Sequence, residues 1–263
     1  MHPIYFDDSS IIEKDQMSPK NTHDSALKAR EENIMNTALE MMASKGVAGL
    51  TMDKLAAKVP YSKGTIYNHF TCKEDLLTAL CNRSIQNLYD LFCHAMSFNG
   101  SSREKILAIG YAYMLHSLLS PTEFMLVISA KTPSIFEKSS EKRREEHLIL
   151  EGKLLDSLLQ VISEGLSNGE FKLQNHLSPA QVAFSLWSMC FGTIVLLHES
   201  LDRCSVRTEM KLERELINHS NLLLDGLNWK PYTQEHDWAE TIQKYKTELY
   251  PNEVRQLKLQ QTS

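Results

Sequence analysis

The sequence predicts an all-α protein, and three observations carry that prediction. Glycine and proline are sparse, 10 and 8 in 263 residues, which leaves room for long helices. Apolar residues recur at three- and four-residue steps through most of the chain. Runs of alternating, β-branched residues that would make half-buried strands are missing. The 42 % apolar content supports an ordinary core, and the length suffices for two domains or for one domain with tails.

Residues 1–25 are polar, hold Pro3 and Pro19 and show no periodicity, so a flexible arm is expected there. Helical spacing sets in at Leu27, where Ile34, Ala38, Met41 and Met42 form a stripe that stops at Gly46. Thr51 caps a short helix over 52–58, with Asp53 in its first turn. Pro60 ends that helix, because the residue before a proline is biased out of the helical region. Ser62 caps a second short helix, 63–69, and Thr71 a longer one over about 73–96. Residues 26–96 thus read as a helix-turn-helix head, with the motif at about 51–70, joined to a linking helix.

Asn99-Gly100 marks a turn, and helical patterns over about 102–119, 121–130, 141–168, 179–200 and 206–228 build a second unit, 97–230. Pro121, Pro133 and Pro179 fall at helix starts, where a missing N–H does no harm. Gly165 and the pair Asn168-Gly169 end the long charged helix. The most apolar run, Val182 to Leu197, is interrupted by Ser185 and Ser188 and reads as a buried helix rather than a membrane span. Residues 231–263 form an extension with one helix over 238–249 and a loose end from 251 onward.

The stretch LAAKVPYSKGTIYNHFTCKEDLL, from Leu55 to Leu77, is the most informative. Its short second helix has only Ile66 and Phe70, four residues apart, to anchor it. The remaining side chains are polar and free to face a partner, which is the division of labour that a DNA-reading helix requires. Charge gives weak support. The whole chain is −5, and residues 26–96 hold eight Lys/Arg against seven acids, a net of +1. Phosphate contacts dominate nucleic-acid affinity, so the footprint is expected to be modest and doubled by dimerisation.

The segment IMNTALEMMASKGVAGLTMDKLAAKVPYSKGTIYNHFTCKEDLL resembles the N-terminal domain of the TetR (tetracycline-repressor-like) family of bacterial transcriptional regulators. The likeness covers about residues 28–88 and rests on Ala38, Gly46, Thr51, Leu55-Ala56, Ser62 to Tyr67, His69-Phe70 and Lys73 to Leu76. One departure stands out. The family's turn usually reads Ala-Gly-Val-Ser, whereas here it is Val59-Pro60-Tyr61-Ser62, and proline cannot reach the conformation that the turn glycine commonly takes. The resemblance implies a three-helix DNA-binding head and a larger helical domain. It also implies a homodimer formed through the last two long helices, here about 179–200 and 206–228, and often a small-molecule pocket.

Residue types then nominate sites. Lys63 and Thr65 suit phosphates or base edges, Gly64 permits close backbone approach, and Tyr67, Asn68 and His69 offer polar tips. Thr51 and Lys73, at the starts of flanking helices, suit phosphate contacts. Tyr111, Tyr113, His116, Phe124, Met125 and Trp187 are candidates to enclose an apolar ligand. Five cysteines (Cys72, Cys81, Cys93, Cys190, Cys204) and ten histidines show no metal-ligand spacing, and no nucleophile–base pair or phosphate loop emerges. Catalysis, a metal and a cofactor are therefore not expected. An odd cysteine count, with an acidic N-terminus that lacks a positively charged start followed by an apolar core, fits a cytoplasmic protein.

The expected function is a one-component regulator, by family habit a repressor, that binds a palindromic double-stranded operator and is released by a small apolar ligand. Two other classes compete. An enzyme lacks candidate residues, and a DNA-binding adaptor or nucleoid-associated protein would have no effector.

Overall fold

A computed structural model describes residues 19–130, 133–197, 207 and 209–262, and every regular element among them is helical. The expected all-α architecture is what the chain adopts. Helix α1 runs Pro19–Gly49 and begins inside the segment read as an arm. Gly46 interrupts it at φ 66°, a left-handed backbone that glycine adopts without a Cβ clash, so the stop predicted there is a sharp bend. Helix α2 (Met52–Ala56) is capped by Thr51, which accepts the Lys54 amide at 3.3 Å. Helix α3 (Lys63–His69) is capped by Ser62, which accepts the Thr65 amide at 3.1 Å.

The turn between α2 and α3 closes without a left-handed residue: among the described residues the positive φ values belong to Gly46, Gly169 and Asn228. The Ala57 amide bonds to Asp53 and those of Lys58 and Val59 to Leu55, after which Val59 buries its side chain and Pro60 sits exposed. Proline replaces the family's glycine because this route never needs the conformation that only glycine reaches easily.

Helix α4 (Lys73–Met96) has the expected bounds, but its cap lies one residue after the expected Thr71. Cys72 caps it, its sulfur accepting the Asp75 amide at 3.4 Å, while the Thr71 amide donates back to Asp75 Oδ2 at 3.0 Å. The upper part of α4 shares a core with α1, α2 and α3, including Ile34, Ala38, Leu55, Ile66, Phe70 and Leu76. Its lower part enters a second, larger core with α5 (Ser102–Leu119), α6 (Pro121–Ala130), the four-residue α7 (Pro133–Phe136) nearby, α8 (Glu141–Ser167), α9 (Pro179–Leu196) and α10 (Leu212–Gly226). Ser101 with Glu104 and Ser178 with Gln181 form capping boxes for α5 and α9. The end of the expected pattern at 179–200 and the start of that at 206–228 fall in residues 198–206, which lie outside the described residues, as does Cys204.

Three expectations need correction. Gly165 does not end α8. It lies within it, where a Cβ would come 2.4 Å from Ser102 Oγ and 3.0 Å from the Trp229 ring, so only glycine permits that approach. Gly169, at φ 71°, makes the actual exit. The apolar helix α9 is not buried all round: Phe184, Trp187 and Leu196 are 61 %, 40 % and 57 % exposed. The end of the chain is not loose, because α11 (Trp238–Lys244) passes through a π-helical turn, Tyr245–Leu249, into α12 (Pro251–Gln261).

Arg103 explains why this extension is ordered. Fully buried, it donates to Asp225 at 2.7 Å, Asn221 Oδ1 at 2.9 Å, Thr233 at 3.0 Å and the Trp229 carbonyl, and lies 5.0 Å from the Trp238 ring centre. Burial lowers its pKa, against the pull of Asp225. Trp229 stacks on Phe171 at 3.9 Å and donates to Ser102. Tyr245 donates to the Glu104 carbonyl at 2.6 Å and Tyr250 to that of Leu91 at 2.9 Å. Replacing Arg103 by Leu strands several acceptors at once and is expected to cost about 3 kcal/mol or more of unfolding free energy, measured by denaturant titration.

Asp75 clamps the two cores together. Buried at 2 % exposure, it accepts from the Thr71 amide and from the Ser140 amide and hydroxyl at 3.0, 3.0 and 2.7 Å. Burial alone would raise its pKa, but the Ser140 bonds, the Thr71 bond and the charge of Arg143 outweigh that and hold it below the ordinary value. The stability it supplies is therefore present above the unfolded pKa of ~3.9 and lost as pH falls through the lower folded value. Asp75→Asn should lose about 2 kcal/mol near neutrality, and its deficit against the parent should shrink in acid, as urea melts across pH will read.

Candidate nucleic-acid interface and internal cavity

Helix α3 is held on one side only. Ile66 and the capping Phe70 are buried, whereas Lys63, Gly64 and Asn68 are exposed and Tyr67 is 43 % exposed. A Cβ added at Gly64 would meet nothing nearer than Ser62 Oγ at 3.9 Å, so the fold itself has no need of glycine there. Lys63 pairs with Asp53 across the turn, an exposed contact whose hydrogen bond and charge raise the lysine pKa. Thr65 is half-buried, its hydroxyl 2.8 Å from that of Ser62.

Two nominated residues sit differently from the sequence reading. His69 turns back into the protein, Nδ1 3.3 Å from Glu31, with its side chain only 9 % exposed. Lys73 donates to the Val47 carbonyl at 2.7 Å and so braces the bend at Gly46 within α1. Thr51 is an exposed cap.

The near-neutral charge of the head also resolves. Glu31 pairs with Arg143, Glu32 with Arg83, Glu74 with Lys138, and Asp75 with Ser140. Four of its seven acids thus bond to α4, α7–α8 or the residues between them, while Lys45, Lys54 and Lys58 remain exposed.

Behind the head lies a cavity of about 750 Å³. Tyr113, His116, Phe124 and Trp187 line it as nominated; Tyr111 and Met125 do not. Tyr111 is buried on another side of α5, its ring 5.8 and 6.2 Å from those of Tyr245 and Tyr250, and Met125 is 41 % exposed. The reason is helical geometry. Residues two apart point about 200° from each other, so Tyr111 cannot share the face of Ile109, Tyr113 and His116. Sequence reasoning missed walls from α4 (Ile85, Leu88, Phe92) and α8 (Leu154, Leu158), whose second apolar stripe at 85, 88 and 92 was the available signal.

Burial sets the chemistry of the polar lining. It pushes His116 down to about 4, so the ring is neutral, 2.9 Å from the Ser84 hydroxyl. It also pushes Tyr113 and Cys190 up to about 12, so both stay protonated. Helix α6 joins cavity and head: Phe124 and Val127 line the cavity, Leu126 is buried in the head's core, and Glu123 bonds to Arg83 at 2.8 Å.

A short capped helix, anchored by two residues, presented by a tight turn and backed by a ligand-sized chamber, defines a helix-turn-helix transcriptional regulator. Comparison with known proteins narrows the class. Residues 34–80, most of the N-terminal head, match the family model described as bacterial regulatory proteins, tetR family. It is 25 % identical over 161 residues to the fatty acid metabolism regulator protein of Bacillus subtilis, covering 61 % of this chain and 77 % of that one. It is 24 % identical over 207 residues to the transcriptional regulator QacR of Staphylococcus aureus, covering 75 % and 98 %. Its fold matches the TetR-family regulator PfmR of Thermus thermophilus with a TM-score of 0.57 at 18 % identity, over 74 % of this chain and 98 % of that one.

Because the outer face of α3 supports nothing inside, Lys63→Ala, Tyr67→Ala and Gly64→Ala should leave the melting temperature nearly unchanged while weakening DNA binding. Thermal melts beside gel shifts on one preparation would show it; normal binding by all three variants means that another surface reads DNA.

Proposed function

We propose that the protein is a repressor that binds a palindromic operator as a homodimer and leaves it when a small apolar ligand fills the cavity. The observation that carries this reading is a reading helix with an unused outer face, tied through α6 to the cavity wall. Lys63, Gly64, Thr65, Tyr67 and Asn68 are assigned to the DNA contact, with Thr51 as a flanking phosphate ligand. Lys73 and His69 support the helix, and either reaches DNA only by giving up its present bond.

The dimer is assigned to α9 and α10, with whatever of 179–200 and 206–228 extends them. Phe184, Trp187 and Leu196 on α9 and Leu222 on α10, 71 % exposed, leave an apolar surface that a second copy would cover. Two heads are needed because one seven-residue helix gives too few phosphate contacts for useful affinity. The ligand acts by favouring one separation of the heads over the other, and a coupling of about 1–3 kcal/mol suffices. A DNA-binding adaptor without an effector fits less well, since it would have no use for an apolar chamber this large.

Gel shifts on the protein's own upstream DNA should show binding that falls about a thousandfold as salt rises from roughly 50 to 200 mM. Salt-insensitive binding, or none to any fragment selected from genomic DNA, would overturn the proposal.

A further inference from the structure

We propose that the cavity takes an uncharged lipophile, its apolar body among the aromatic and aliphatic walls and one neutral oxygen-bearing group hydrogen-bonded at the Ser84–His116 pair. This deepens the reading of the cavity as an effector site and rests on it.

The lining decides the charge of the ligand. Among the described residues no lysine or arginine lines the chamber, and the one charged side chain there is Glu151. Glu151 lies at the rim, 37 % exposed and 3.5 Å from His147. A carboxylate or phosphate head drawn inside would lose its hydration and find no cation to compensate. A cationic head would find Glu151 only where water already screens it.

The polar pair decides where the ligand's own polar group goes. Ser84 and His116 are 0 % and 5 % exposed, and they form a buried hydrogen-bonded pair in a wall that is mostly apolar, with side chains such as Ile85, Leu88, Phe124 and Trp187. Such isolated hydrogen-bonding groups orient a ligand in an apolar pocket. Burial keeps His116 neutral at physiological pH, so it meets a hydroxyl or carbonyl as a hydrogen-bond partner and offers no countercharge to an acid. At about 750 Å³ the chamber falls within the size range of drug- or lipid-sized sites. Ser84 stands on α4, the same helix that reaches the DNA-binding head, so a bond made there is felt by that helix directly.

The test uses the full-length protein and four probes that share one chain and differ in the head: dodecanol, methyl dodecanoate, dodecanoate and dodecyltrimethylammonium, all below their micellar concentrations. Binding is read by calorimetry and by tryptophan fluorescence, and operator release by a separate gel shift. The alcohol and ester should bind about tenfold or more tightly than either charged probe, with affinity unchanged between pH ~6 and ~8. His116→Phe and Ser84→Ala should each cut that preference, by about threefold to tenfold, while chain binding persists. Tighter binding of dodecanoate or of the ammonium probe overturns the neutral-ligand inference and leaves the effector reading standing. Failure of all four to bind a preparation that still shifts its operator overturns both.

Discussion

Arg83 holds the molecule's two halves in one arrangement. From α4 its guanidinium donates to Glu123 on α6 and to Glu32 and Asn36 on α1, at 2.7 to 3.1 Å. Burial works against its charge, but the bonds and fields of Glu123 and then Glu32 outweigh that and raise its pKa. A partly buried guanidinium that donates from Nε and Nη2 to one carboxylate oxygen and from Nη1 to another element is directional, unlike a solvated surface ion pair, so it fixes an angle as well as a contact. Without this fork, α1 and α6 would be joined mainly by the apolar contact of Leu126 with the head's core.

Arg143 repeats the arrangement from the other side. Anchored on α8, it bonds to Glu31 of α1 and to Glu146 and lies 5.8 Å over the Phe70 ring at the end of α3. Glu31 in turn holds His69. The reading helix is thus supported from beneath by a side chain of the larger domain. A shift of α8 relative to α1 must move or break that contact, and the same helix supplies Leu154 and Leu158 to the cavity. On the proposed reading, position, rather than any long-range signal, would connect a filled chamber with a displaced head.

Much of the fold was legible because its signals are local. Caps at Thr51, Ser62 and Ser178, the stop at Gly46 and the apolar stripes placed nearly every helix, and the turn, recognised as part of a family motif, placed α3. What escaped depends on distant partners. The C-terminal helices looked polar because their anchors, Tyr245, Tyr250 and Trp238, meet Glu104, Leu91 and Arg103 more than a hundred residues away. His69 carries the same lesson within the head, since a polar residue on a short helix looks free until its partner on another element is known. Tyr111 was misplaced for a different reason: its chemistry suited a pocket, but its phase on α5 did not.

Leu126 is buried in the interior of the head, and its neighbour Val127 touches both that core and the wall of the chamber. On the proposed reading, substitutions on α6 would therefore change ligand preference and promoter affinity together. On that reading, independent tuning of what is sensed is open where a residue touches the chamber alone, as Leu154 and Leu158 do. Paralogues that respond to new compounds while keeping an old promoter should accordingly diverge first along α8.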